Sequence, residues 1–153
     1  MSGINGVAWD AVELPSQFME NWCYEPEALA FISGHYQTGE PLPQELLDKL
    51  LAAKNFQSAM MTMRQIEFSI FDMRLHREHT AANPVDAATI IADVRKSVTV
   101  VPTVEFNRFQ HSFSHIFAGG YSSGYYGYIW SEVLDADTVD WFKENGGLKR
   151  ENG

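Results

Sequence analysis

Between residues 54 and 79, Ala59, Met63, Ile66, Ile70 and Met73 recur at alternating spacings of four and three, flanked by Phe56, Met60, Phe68, Phe71 and Leu75. That period belongs to an α-helix, here apolar over most of its circumference and so expected to be central. Asn83-Pro84 breaks it, and Asp86 is placed to cap a following helix through roughly Val98. Upstream, Leu14, Phe18 and Trp22 follow Val12, with Met19 and Cys23 alongside and Pro15 where a first turn tolerates it. A helix over 13–24 is predicted, with Pro26 starting or kinking a continuation to Ile32. Residues 38–43 hold a glycine and two prolines and read as a turn, after which helix resumes at about Gln44. Residues 99–106 contain Pro102, which would confine a strand to a sheet edge, and no partner strand is predicted, so they read as extended linker. After Gly119-Gly120 a last helix covers about 124–143. The fold class is all-α with one long loop rich in glycine and tyrosine, and 153 residues suit one domain.

Composition removes several functions. No apolar run approaches the ~20 residues of a membrane span. The formal charge of −9 repels phosphate backbones, and the 11 basic residues are scattered, so neither nucleic acid nor membrane is an expected partner. The N-terminus has no basic or apolar leader pattern, which makes a reducing, cytoplasmic location the expectation. Cys23, the one cysteine, has no internal partner and is expected to be a small buried thiol. The polar, glycine-rich ends are those of loose termini or of a chain cut from something longer.

Of the five histidines, His76 and His79 read as a solvated helix end, where the dipole favours cations. His111 and His115, four apart, could share a helical face as metal pairs do, but no His-Glu dipeptide supplies the base of a zincin motif. The sequence HREH at 76–79 is one residue short of the inverted motif. Glu13 reads on its own as an ordinary first-turn acid. The stretch FSHIFAGGYSSGYYGYIWSEV, 113–133, is different, because a buried tyrosine must partner its hydroxyl or lose roughly 1–3 kcal/mol. On a helix starting at Gly124, Tyr125 and Tyr128 project one turn apart on one side, with Tyr121 at the loop's end four residues before Tyr125, and with His115 they would offer neutral donors to a developing oxyanion. A stacked aromatic core beneath a flexible turn accounts for the same residues equally well.

This stretch, together with WDAVELPSQFMENW, resembles the C-terminal part of the catalytic domain of the thimet oligopeptidase family of zinc metallopeptidases, and within it the oligopeptidase A group. The resemblance covers about 2–144. It implies a zinc-dependent endopeptidase of short peptides, with Glu13 as a zinc ligand and His115, Tyr121 and Tyr128 acting at the scissile carbonyl. It further implies that Tyr125, Gly119 and Gly120 bind substrate, the glycines letting the loop close. In the family an HEFGH helix carries two zinc histidines and the general base, and it precedes the matching glutamate by more residues than the twelve before Glu13 here. Residues 1–153 are therefore expected to be a partial domain lacking that helix, inactive alone, with an incomplete zinc site and apolar faces through which it self-associates. The alternative from another class is a free-standing helical module that binds peptides or serves as a scaffold.

Overall fold

A computed structural model of the chain describes residues 3–147 and 149–153. Among them are α1 (Leu14–Asn21), α2 (Pro26–Ile32), α3 (Gln44–Ala53), α4 (Ser58–Glu78), α5 (Ala87–Val98) and α6 (Gly127–Glu144), with short 3-10 turns and no strand. Among the described residues no helix is long and apolar enough to cross a membrane.

Two packed pairs of helices organise the chain. In the first, Phe68, Phe71 and Leu75 of α4 meet Ile90, Ile91, Val94 and Val98 of α5. Asp86 starts α5 as its cap, accepting the N–H groups of Ala88 at 3.3 Å and Thr89 at 3.1 Å. In the second, Phe18 of α1 lies 5.0 Å from Phe142 of α6 between ring centres, and Asn21 donates to Asp135 at 2.9 Å. The 3-10 turn Trp9–Ala11 seats against α6, where a Cβ on Gly127 would come within 3.3 Å of the Asp10 backbone. The segment between α5 and α6 joins the pairs by burying Phe113, Ile116 and Tyr125 in the α4–α5 core.

Several expectations are corrected. Helix α4 begins at Ser58 because Gln57 takes a left-handed φ of 53°. Its buried face is Glu67, Phe68, Phe71, Asp72 and Leu75, while Met60, Ile70 and Met73 of the apolar pattern are exposed. Helix α5 covers one side of α4, and nothing among the described residues covers the other. Helix α6 begins at Gly127 rather than at Gly124, since 122–126 form turns. Cys23 is exposed, because α1 ends at Asn21 and the 3-10 turn Trp22–Tyr24 rotates it off the apolar face. His111 and His115 lie in separate 3-10 turns, Phe109–His111 and Ser114–Ile116, and so share no helical face.

The accessible surface is 10850 Å² for 17.3 kDa. A compact monomer of that mass exposes about 7,800 Å². Part of the excess is apolar: Met19, Phe31, Ile32, Phe56 and Met61 all stand open.

Candidate active site

The first turn of α1 carries Glu13. Its carbonyl closes that turn by accepting the Gln17 N–H at 2.9 Å. Its carboxylate stays outside, Oε2 accepting from Ser16 Oγ at 2.6 Å and Oε1 from the hydroxyl of Tyr121. Gln17, one turn on, donates Nε2 to the carbonyl of Tyr128 at 2.8 Å. The start of α1 is thus fastened to both ends of the tyrosine segment.

That segment is positioned from beneath. Phe113 and Ile116 are buried, so His115 between them is left on the outer side. The His115 carbonyl accepts the Tyr121 N–H at 3.0 Å, folding the chain back through Gly119-Gly120. Ring centres lie 6.2 Å from His115 to Tyr121, 5.7 Å to Tyr125 and 6.1 Å to Tyr128. Tyr128 lies 5.0 Å from Tyr121 and 4.9 Å from Tyr125. Tyr126 stands apart, exposed, with its hydroxyl donating to Asp10 at 3.1 Å. The structure therefore brings Glu13, His115, Tyr121, Tyr125 and Tyr128 together, across 108 residues of chain between Glu13 and Tyr121.

His115, Tyr125 and Tyr128 form one wall of a cleft of about 780 Å³, with Gln17 and Gln65 beside them. Glu20, Glu132 and Asp135 also line it. Burial, then repulsion from Glu20 and Asp135, raises the Glu132 carboxyl above its ordinary range. Tyr125 is 7% exposed and gives its hydroxyl to Gln65 Oε1 at 2.9 Å, so it meets the cleft as a braced pair. The buried Oε1 of Gln17 has no partner among the described residues.

A model of the family described as Peptidase family M3 matches residues 1–153. The chain belongs to peptidase family M3. Oligopeptidase A of Escherichia coli (strain K12) is 61% identical over 153 residues, all of this chain and 22% of that protein. Organellar oligopeptidase A, chloroplastic/mitochondrial, of Arabidopsis thaliana is 47% identical over 146 residues, 95% of this chain and 18% of the relative. Saccharolysin of Saccharomyces cerevisiae is 33% identical over 153 residues, covering 99% and 21%. The M3 chain thus spans about a fifth of the length of the curated relatives it matches.

In this M3 chain the tyrosines are held as neutral donors. Burial pushes the Tyr125 hydroxyl up to about 12. Burial raises Tyr121 further, and its bond to the Glu13 carboxylate adds to the effect. Tyr128 is likewise raised by burial. All three keep their protons well past neutral pH. Among the described residues no group of three or more His, Cys, Asp or Glu side chains converges as a metal site. Glu13 is a single carboxylate whose neighbours are hydroxyls. Asp72 and Gln65, which no motif in the sequence singled out, are supporting side chains, as is Gln17, which lies inside the WDAVELPSQFMENW motif. An acid one residue after Phe71 on an otherwise apolar face was the available signal for Asp72.

Proposed function

We propose that the chain is the C-terminal part of the catalytic domain of a zinc-dependent metalloendopeptidase that hydrolyses short peptides in the cytoplasm. The observation that carries this reading is the hydrogen bond from Tyr121 to Glu13, made beside Tyr128 and His115 at the edge of the cleft in an M3 chain. It puts a candidate metal ligand and a candidate oxyanion donor in one place.

A zinc peptidase needs three protein ligands and an open position. Glu13 fits as one ligand, and the described residues do not supply the others, so the rest of the donor set belongs to chain beyond these residues. The chemistry that zinc supplies in such an enzyme is activation of a water and polarisation of the scissile carbonyl. The residues of this chain act on the substrate. Tyr128 donates O–H to the carbonyl oxygen as it gains charge, and Tyr121 does so by turning its one proton away from Glu13, where well-placed donors stabilise the transition state more than the ground state. His115 and the Tyr125–Gln65 pair hold the peptide, with Gly119 and Gly120 shaping the loop over it.

Purified full-length protein is expected to cleave a short fluorogenic peptide, to stop when zinc is chelated and to recover when zinc is returned. Hydrolysis untouched by chelation would overturn the reading. The 153-residue chain alone is expected to bind zinc too weakly to resolve by calorimetry and to cleave nothing. One tight zinc per isolated chain, lost in Glu13→Ala, would mean that local residues complete the site. Because so much apolar surface stands open, the isolated chain is also expected to self-associate. Sedimentation velocity checks this, and a monomer persisting at high concentration would contradict it.

A further inference from the structure

The functional reading leaves one buried charged group without a role. Asp72 sits mid-way along α4, 1% exposed, on the face turned toward the core. Its Oδ1 accepts the Ser123 N–H at 2.9 Å and its Oδ2 accepts the Tyr125 N–H at 3.0 Å. His76, one turn further along α4, hydrogen-bonds through Nδ1 to the Asp72 backbone carbonyl at 2.9 Å, which also brings Nδ1 within 2.9 Å of Oδ1. A buried carboxylate persists only when its oxygens are satisfied, and bonds to a charged acceptor are the stronger kind. All the close partners of this carboxylate other than His76 are backbone groups of the tyrosine segment.

The consequence is local and geometric. Ser123 takes a left-handed φ of 55°, uncommon for a residue with a Cβ, and this conformation interrupts the chain before α6. Meeting both N–H groups with one carboxylate holds 122–126 as turns where helical phase alone would have begun α6 at Gly124. Tyr121 precedes the anchored stretch and Tyr128 follows it, so the separation of the two rings depends on that stretch. Helix α4 is fixed in turn by α5, so the loop is referenced to the core.

We propose that Asp72 is a positioning residue for peptide hydrolysis, holding the Ser123–Tyr125 backbone so that Tyr121 and Tyr128 converge on one point. This rests on reading those tyrosines as donors to the reacting carbonyl. Asp72 touches no substrate. Its effect reaches the reaction through the placement of the two hydroxyls, and misplacement by about 1 Å can cost 10²-fold in rate.

The test is Asp72→Asn in the full-length protein, which keeps the shape but turns an N–H donor toward one of the two loop N–H groups. Expected are a fall in kcat of about 10- to 100-fold with KM near wild type, unchanged zinc content, and faster amide hydrogen exchange confined to the peptide spanning 119–126. Wild-type kcat, or exchange rising equally in α5, would overturn the proposal, the second because it marks a general loss of core packing. Should Asp72→Asn fail to fold, His76→Ala removes a partner of Oδ1 without setting a donor against the loop. It is expected to shift kcat and loop exchange in the same direction by less, and no change in either would count against Asp72. If the wild-type protein cleaves no peptide, the enzymatic reading falls, while loop exchange in the variant still decides whether Asp72 holds the segment.

Discussion

Tyr128→Phe in the full-length protein is expected to lower kcat by about 10²–10³-fold while leaving KM within a small factor of wild type. The substitution removes a hydroxyl and keeps a ring that packs 4.9 Å from Tyr125 and 5.0 Å from Tyr121, so the wall of the cleft stays intact. A donor engaged only as the carbonyl oxygen gains charge enters kcat, because what it stabilises is confined to the transition state. Tyr121→Phe is expected to cost less, since the one Tyr121 proton is held by Glu13 in the resting site and must leave it to reach the carbonyl, so its net gain in the transition state is smaller. Tyr126→Phe should change little: its hydroxyl meets Asp10, away from the cluster. Steady-state kinetics on a fluorogenic peptide ranks the three, with circular dichroism to confirm folding. A larger kcat loss in Tyr126→Phe than in the other two would show that the wrong face has been assigned.

What was legible in the chain was whatever neighbouring residues determine. Asp86 could be named as a cap because capping is a contact with the next two or three amides, and the structure shows it bonded to Ala88 and Thr89. Pro26 could be placed at a helix start for the same reason. The start of α6 is not legible locally because Ser123 and Tyr125 answer to Asp72, more than 50 residues away, and no local propensity reports a distant carboxylate. Which face of α4 is buried is hidden for a related reason. Periodicity shows which residues are apolar, not which side a neighbour covers, and α5 covers the side of Phe68 and Phe71. In the site, tyrosine phase suggested a cluster and resemblance added Glu13. The contact between Glu13 and Tyr121 joins two ends of the chain, and only folding puts it in view.

Gly119→Ala is expected to lower kcat by about 10²-fold, and the reason separates it from its neighbour Gly120. A Cβ on Gly119 would lie 2.9 Å from both the Cα and the carbonyl oxygen of His115. Those are backbone atoms, which cannot rotate aside, so the His115 peptide must shift. That carbonyl also accepts the Tyr121 N–H at 3.0 Å, so the displacement reaches a ring of the site as well as the imidazole. At Gly120 the obstacle is conformational. Its φ is 85°, and an added Cβ meets only the Trp9 ring at 3.6 Å, an ordinary contact. Gly120→Ala should therefore lose about 1–2 kcal/mol of stability through left-handed strain, with a smaller change in kcat. If the glycines served only to let the loop move, both substitutions would slow turnover alike. Kinetics and thermal melts on the two variants decide between these accounts. A kcat loss in Gly120→Ala equal to or above that in Gly119→Ala would show that mobility, rather than the close approach to His115, is what the glycine pair provides.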